Sequence, residues 1–195
     1  MVERFWLAFL PLFVAFDALG VLPLFWTLSE GLSAEQRRQA IHKAAMVGAF
    51  VGPVFLLVSA WVLDALGIEM ADVMIAGGAI LFALALSDLL RTEQIRSSAA
   101  EDLGAVPLGV PLIVGPAVLA TLLLARQRSG VWMTLAAFNL NMLLTWFILL
   151  TADWLVRWVG RDGARVVSKV FNLVLASFAV MLIRLGIATL LAPRQ

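Results

Sequence analysis

The sequence contains no cysteine and only one histidine, His42. Without cysteine the chain has no means to form disulfides, thiolate metal sites or a thiol nucleophile. A single histidine excludes a metal centre that several histidines would share. The sequence also lacks a GxxxxGK[ST] motif, which excludes the phosphate-binding loop of nucleotide hydrolases. The sequence therefore predicts a protein without a metal site or another cofactor.

Charge is scarce as well. Only 14% of the 195 residues are charged and the formal net charge is +1, so the chain shows no basic footprint for nucleic acid. In contrast, 63% of the residues are hydrophobic and the mean hydropathy is +1.00. Soluble domains are about half apolar and about a quarter charged, and disordered chains combine low hydrophobicity with high charge. The composition predicts a single membrane domain over residues 1–195, surrounded by the lipid bilayer.

Six apolar runs reach the length of about 20 residues that a helix needs to cross the hydrocarbon core. They extend over Phe5 to Leu28, Ala40 to Leu66, Ala71 to Leu90, Ala105 to Ala125, Val131 to Val156 and Val170 to Leu191. Unbroken runs favour helices over a β-barrel, whose strands are alternating segments of about ten residues. The first run is too long for a signal peptide and is expected to be retained. The predicted fold class is therefore all-α, with six transmembrane helices.

Lys and Arg are distributed unevenly between the links that join these runs. The first, third and fifth links hold nine of them, namely Arg37, Arg38, Lys43, Arg91, Arg96, Arg157, Arg161, Arg165 and Lys169. The opposite side holds four, namely Arg4, Arg126, Arg128 and Arg194. Because short cytoplasmic loops are enriched in Lys and Arg, the odd links, including the long one at about 91–104, are predicted to be cytoplasmic. Both termini of this multi-pass protein are then outside.

The chain resembles itself when it is shifted by 93 residues, the separation of Trp61 and Trp154. The same shift aligns Gly67 with Gly160, Ala71 with Ala164, Val73 with Val166 and Ala83 with Ala176. It also aligns Asp64 with Arg157 and Asp72 with Arg165, so the charge changes sign. The positive-inside rule produces this change if equivalent corners lie on opposite sides of the membrane. The pattern predicts two inverted three-helix repeats, at about 1–90 and 105–195, as in secondary transporters.

Proline and glycine interrupt the first and fourth spans at corresponding places. The residues concerned are Pro11, Asp17, Gly20 and Pro23 in the first span, and Pro107, Gly109, Pro111, Gly115 and Pro116 in the fourth. Proline frees a backbone carbonyl, and irregular backbone at membrane depth is tolerated only where it is buried or lines a cavity. Free N–H groups suit a carboxylate and free carbonyls suit a cation. Broken helices 1 and 4 therefore predict a site for a zwitterion such as an amino acid, with simple helix kinking as the alternative.

Several polar residues lie within the spans. A carboxylate at mid-span is costly, so Asp17 is expected to carry a proton, to bind a cation, or to accept hydrogen bonds from the broken backbone beside it. Thr121, Asn139 and Asn141 are candidate substrate contacts, with hydrogen bonding between helices as the alternative. Arg184 would either snorkel to the interface or form an ion pair.

Three local patterns concern the second span. Ser33 and Gln36 have the spacing of a capping box. Ala44, Gly48 and Gly52 form a face of small residues that predicts close packing against another helix, in the same chain or in a second copy. His42 lies at the cytoplasmic start of the span and is expected to be solvated.

Four segments resemble a known membrane-protein family. They are FDALGVLPLFWTLSEGLSAEQRRQA, IAGGAILF, VPLGVPLIVGPAVLATLLL and VGRDGARVVSKVFNLVLA. In this order they resemble the first span and its link, the third span, the fourth span and the approach to the last span of MarC family (UPF0056-type) proteins. The resemblance implies a six-span inner-membrane protein that transports small neutral amino acids such as glycine and alanine. Ala18 replaces a typical Pro, whereas Asn172 and Met181 stand where Gly and a polar residue are typical.

The residues and the resemblance together predict a secondary transporter and not an enzyme. Its substrate would be a small neutral amino acid, moved with H⁺ or Na⁺ through Asp17. The predicted substrate and ion site comprises Asp17, Gly20, Pro23, Gly109, Pro111, Gly115, Pro116, Thr121, Asn139 and Asn141. A cation or metal-ion permease, an exporter of another small solute and a membrane scaffold are the alternatives. An intramembrane enzyme is disfavoured because His42 has no evident catalytic carboxylate partner in its segment, and a homo-oligomer is compatible with every alternative.

Overall fold

The computed structural model describes residues 2–29, 31–90 and 113–191, and its regular secondary structure there is entirely α-helical. The helices of this part are α1 (Val2–Phe16), α2 (Ala18–Leu28), α3 (Ala34–Leu66), α4 (Met70–Leu90), α5 (Pro116–Ser129), α6 (Val131–Leu150) and α7 (Ala152–Leu191). Helix α7 contains one non-helical residue, Gly160, with φ 77° and ψ 164°. The all-α fold class is therefore confirmed.

Five helical stretches are long and apolar enough to cross a membrane. They are Val2–Leu22, Ala34–Leu66, Met70–Ser87, Val131–Leu150 and Val166–Leu191, which correspond to predicted spans one, two, three, five and six. The predicted fourth span, Ala105 to Ala125, begins outside the described residues, and its described part contributes to α5. The link at 91–104 also lies outside them. Five of the six predicted spans are thus confirmed as helices of sufficient length.

Helix α3 begins six residues before the apolar run that predicted it, because its first turn is set by a capping box. The Ser33 Oγ accepts a hydrogen bond from the Gln36 N–H at 3.2 Å, and the Gln36 Oε1 accepts one from the Ser33 N–H at 2.9 Å. This reciprocal pair satisfies two backbone donors that the first turn would otherwise leave without a partner. The predicted capping box is confirmed. The helix ends at Gly67, whose left-handed φ of 67° is typical of a helix C-cap.

Helices from the first half of the chain pack against helices from the second half. Helix α4 packs most extensively against α7, α1 packs against α5 and α6, and α3 packs against α6. Glycines lie where α4 and α7 approach most closely. A Cβ added at Gly78 would lie 2.8 Å from the Ala179 carbonyl oxygen, and one added at Gly186 would lie 2.8 Å from the Ala71 carbonyl oxygen. Small residues at both places allow the two backbones to meet directly.

The small-residue face of α3 packs against α6. Ala44, Gly48 and Gly52 are buried. Gly48 lies against Met142, and Gly52 lies against the ring of Phe138. The predicted close helix packing is confirmed, and the partner helix belongs to the same chain.

A hydrogen bond between side chains also joins α3 to α6. The Trp146 Nε1 donates to the His42 Nδ1 at 2.9 Å, and the two rings lie 5.5 Å apart. The prediction that His42 is simply solvated was therefore wrong. Because an indole N–H can only donate, this bond leaves the His42 proton on Nε2 in the neutral tautomer.

Large apolar side chains cover the outside of the helices. Phe50 on α3, Phe147 on α6 and Leu173 on α7 are exposed, as expected for surfaces that contact lipid. Trp61 and Trp132 are also exposed, and each lies near the end of a span, where interfacial aromatics are enriched. Arg184 is exposed on α7, which fits the snorkelling alternative.

Candidate functional site

The boundary between α1 and α2 falls at Asp17, within the first predicted span. Asp17 has a positive φ of 45°, a conformation that Asp and Asn adopt more readily than other non-glycine residues. Its N–H donates to the Phe13 carbonyl at 3.4 Å, and its carbonyl accepts from the Val21 N–H at 2.9 Å. Asp17 is only 7% exposed. The chain thus buries a carboxyl group at the one residue where the span departs from helical geometry.

The Asp17 carboxylate caps the N-terminus of α2. Its Oδ1 accepts a hydrogen bond from the Gly20 N–H at 3.2 Å, the position at which a capping side chain reaches a first-turn amide. Gly20 allows this approach because it has no Cβ, which would otherwise lie 2.5 Å from Oδ1 and 2.6 Å from Cγ of Asp17. The chain's own carboxylate therefore occupies this helix terminus, which favours a negative group.

Helix α7 contributes two further polar side chains at this level. The Ser168 Oγ donates to the Gly20 carbonyl at 3.2 Å, and Ser168 is buried. Asn172 lies one helical turn further along α7 and is 2% exposed. Neither residue was among the predicted site residues. Ser168 and Asn172 are four residues apart, so both lie on one face of the helix. This spacing is the sequence signal that could have identified them as a polar pair.

The N-terminus of α5 is not capped by a side chain. Gly115 is its N-cap, with φ −83° and ψ 180°, and Pro116 occupies the first turn. The amides of Ala117 and Val118 belong to the same turn, where no intrahelical carbonyl is available to them. Both residues are buried. The first turn of α5 is therefore buried and, among the described residues, has no side-chain cap, in contrast to the capped terminus of α2.

Apolar packing connects this terminus to the first span. Ala117 belongs to the buried cluster against which the partly buried Val14 packs, and α1 packs against α5. Val14 precedes Asp17 by three residues. The start of α5 and the residues just before Asp17 therefore belong to one packed region.

Comparison with known proteins gives the family. Residues 2–191 match the family described as MarC family integral membrane protein. The chain belongs to the MarC family. It is therefore an integral membrane protein of several spans, as its composition and helices indicate.

MarC family relatives match nearly their whole length. The inner membrane protein YhgN of Escherichia coli (strain K12) is 30% identical over 183 residues, covering 90% of this chain and 92% of the relative. A UPF0056 membrane protein of Buchnera aphidicola (subspecies Acyrthosiphon pisum) is 30% identical over 177 residues, covering 88% and 89%. One of Methanocaldococcus jannaschii is 27% identical over 199 residues, covering 95% and 97%. No solved structure matches the chain.

The other predicted site residues of this MarC family protein have different surroundings. Thr121 is fully buried, and its Oγ1 donates to the Ala117 carbonyl of the same helix at 2.8 Å. Pro23 lies within the range of α2, where its missing N–H deprives the Leu19 carbonyl of its usual donor. Gly109 and Pro111 lie outside the described residues. Of the predicted site residues that the structure describes, Asp17, Gly20 and Gly115 lie at the starts of α2 and α5.

The two asparagines of α6 are not part of this arrangement. The Asn141 Nδ2 donates to the Phe9 carbonyl at 3.2 Å and to the Ala137 carbonyl at 2.9 Å, so this side chain joins α6 to α1. Asn139 is exposed, and its Nδ2 donates to the Leu135 carbonyl of its own helix at 2.8 Å. Asn141 therefore joins two helices, which was the alternative to substrate binding. Asn139 points away from the interior.

Proposed function

We propose that this MarC family protein is a secondary transporter of small neutral amino acids such as glycine and alanine. The observation that carries the proposal is the buried Asp17 carboxyl group at the boundary between α1 and α2. An ionisable side chain within a membrane span costs at least about 2.5 kcal/mol and is retained mainly where it serves binding or transport. Asp17 would hold the ammonium group of the substrate or the H⁺ or Na⁺ that moves with it.

The uncapped start of α5 supplies the complementary half of a zwitterion site. First-turn amides and the helix dipole favour an anion, and the Ala117 and Val118 amides lie in that turn. Ala117 belongs to the buried cluster against which Val14 packs, and Val14 precedes Asp17 by three residues. A small amino acid would therefore place its carboxylate at α5 and its ammonium group at Asp17.

Two inverted three-helix repeats, with broken helices 1 and 4, are part of the proposal. Helices at corresponding positions of the two halves contact each other, as α3 with α6 and α4 with α7. The aligned glycines Gly67 and Gly160 both have a positive φ, of 67° and 77°. The aligned Trp61 and Trp154 are both exposed. These correspondences support a pseudo-twofold arrangement, in which one half can rock against the other around a central site.

We infer the orientation in the membrane from the distribution of Lys and Arg. We infer that the protein lies in the cytoplasmic membrane because its relative YhgN is described as an inner membrane protein. Both termini should lie outside. Alkaline phosphatase fused after Gln195 should be active, and green fluorescent protein fused there should not fluoresce, because it does not fold after export. The reverse pair of signals would show that the C-terminus is cytoplasmic.

The Asp17→Asn variant tests the transport proposal. Asn keeps the shape and tolerates a positive φ, but it cannot ionise. We expect the purified wild-type protein in proteoliposomes to accumulate radiolabelled glycine or alanine under a proton or sodium gradient. We expect Asp17→Asn to fold and to lose at least about tenfold of gradient-driven uptake, which corresponds to about 1.4 kcal/mol.

The matched control is Asp64→Asn, which makes the same change at an exposed carboxylate near the end of α3. It should transport as the wild type does. Uptake and gradient dependence that are unchanged in Asp17→Asn would remove Asp17 from the mechanism. Absence of amino-acid flux in folded wild-type protein, together with flux of a radiolabelled cation, would favour the permease alternative.

A further inference from the structure

Asn172 has a buried hydrogen-bond acceptor without a partner in the part of the chain that the structure describes. Its side chain is 2% exposed, and no donor among residues 2–29, 31–90 and 113–191 reaches its Oδ1. Buried polar atoms in folded proteins nearly always have a partner, and leaving an acceptor unpaired away from water is costly. Near the Asp17 carboxylate, such an atom is a candidate contact for a bound group that donates hydrogen bonds.

The hydrogen bond between Ser168 and Gly20 places Asn172 near the cap that Asp17 forms on α2. The Ser168 Oγ donates to the Gly20 carbonyl, and the Gly20 N–H donates to the Asp17 Oδ1. Asn172 lies on the same face of α7 as Ser168, four residues or about 6 Å of helix rise further along. Asn172 is therefore about one helical turn from the residue that bonds to the capped end of α2.

The polar groups near this cap share one chemical character. The Asn172 Oδ1 is an acceptor, and an ionised carboxylate such as that of Asp17 only accepts. The Ser168 Oγ donates its proton to the Gly20 carbonyl, so its remaining capacity is that of an acceptor. A buried amide oxygen near a carboxylate favours a ligand that is positively charged and rich in donors. A primary ammonium group, which carries three N–H donors, meets both conditions.

We propose that Asn172 is a substrate-contacting residue, whose Oδ1 accepts a hydrogen bond from the primary ammonium group of the amino acid. This inference rests on the proposed transport function and adds a determinant of specificity to it. N-methylation removes N–H donors one by one while the charge remains. Asn172 should therefore favour glycine over N,N-dimethylglycine, which retains a single N–H when protonated.

The test compares Asn172→Leu with the wild type in proteoliposomes. Uptake of radiolabelled glycine is measured against competing unlabelled glycine and N,N-dimethylglycine. We expect Asn172→Leu to lower the apparent affinity for glycine about tenfold or more, the loss for one hydrogen bond to a charged group. The affinity for N,N-dimethylglycine should change much less, so that the selectivity between the two compounds narrows.

Asn139→Leu is the matched control, because it makes the same substitution at an exposed asparagine that bonds only within α6. It should retain the affinity and selectivity of the wild type. Asn172→Ala, which removes the amide without adding volume, gives the same comparison if Asn172→Leu does not fold. Parallel losses for both compounds, with a changed sodium dependence, would assign Asn172 to a sodium ion and overturn the ammonium contact.

The two proposals fail in different ways. Wild-type glycine uptake with unchanged selectivity in folded Asn172→Leu and Asn172→Ala would overturn the role of Asn172 and leave the transport function intact. Absence of glycine and alanine flux in the wild type would overturn the transport function and the ammonium contact together.

Discussion

Gly20→Ala is expected to lower glycine uptake about tenfold or more, because the added methyl group would displace the Asp17 carboxylate. A Cβ at position 20 would lie 2.6 Å from the Asp17 Cγ, a separation that real side chains do not tolerate. The carboxylate would have to move away from the Gly20 N–H, and α2 would lose the hydrogen bond that caps its N-terminus. Loss of a cap costs about 0.5–2 kcal/mol of stability, whereas loss of the correct carboxylate position should act directly on binding.

Uptake in proteoliposomes and thermal unfolding in detergent separate these two effects. The double variant Asp17→Gly with Gly20→Ala removes the clash, since glycine accepts both the positive φ and the N-cap position. The double variant should recover much of the unfolding temperature that Gly20→Ala loses, but it should not take up glycine. Recovery of uptake in the double variant would show that transport needs only an intact backbone at this place and not the carboxylate.

Gly52→Ala should destabilise the protein by about 1–3 kcal/mol, the usual cost of overpacking a core. A Cβ at position 52 would lie 2.6 Å from Cε2 of Phe138. The Phe138 ring is fully buried and packs against Phe16, with centroids 5.5 Å apart. The ring therefore has little space to move aside, and α3 and α6 would have to separate.

The unfolding temperature of Gly52→Ala in one detergent, compared with that of the wild type, measures this cost. Phe138→Leu in the Gly52→Ala background should recover part of the loss, because contacting residues are not additive. Ala49→Leu adds a larger group at an exposed position of α3 and should stay within about 0.5 kcal/mol. A Gly52→Ala protein as stable as the wild type would contradict the close packing of α3 on α6.

The features that could be predicted from the sequence depend on residues near one another in the chain. The length of an apolar run predicts a span, and the spacing of Ser33 and Gln36 predicts a cap. The spacing of Gly48 and Gly52 predicts a flat helix face. The cap, the flat face and five of the six spans were confirmed, because helix periodicity and the first turn are local properties.

Contacts between distant residues could not be predicted in this way. Ser168 meets Gly20 across 148 residues, and Trp146 meets His42 across 104. Periodicity identifies a helix face, but it does not identify the helix on which that face packs. Ser168 and Asn172, which were not among the predicted site residues, lie near Gly20 because α7 packs against α2.

The asparagines of α6 show a further limit. Residues two apart in an α-helix point in nearly opposite directions, so Asn139 and Asn141 had to have different surroundings. The sequence indicated that only one of them can face the interior, but both were predicted as substrate contacts. The structure buries Asn141 and exposes Asn139, because Asn141 alone lies on the face of α6 that meets the Phe9 carbonyl.

The packing of the first half of the chain against the second has a consequence for biosynthesis. Each small residue meets a partner that is translated much later: Gly48 meets Met142, Gly52 meets Phe138, and Gly78 meets Ala179. When the first three spans enter the membrane, their small-residue faces have only lipid or the insertion machinery to contact. The order of synthesis therefore delays the packing of α3 until α6 arrives and the packing of α4 until α7 arrives. A ribosome stalled before α7 should leave the Gly78 face of α4 without its partner, in a chain that is more sensitive to protease than the finished protein.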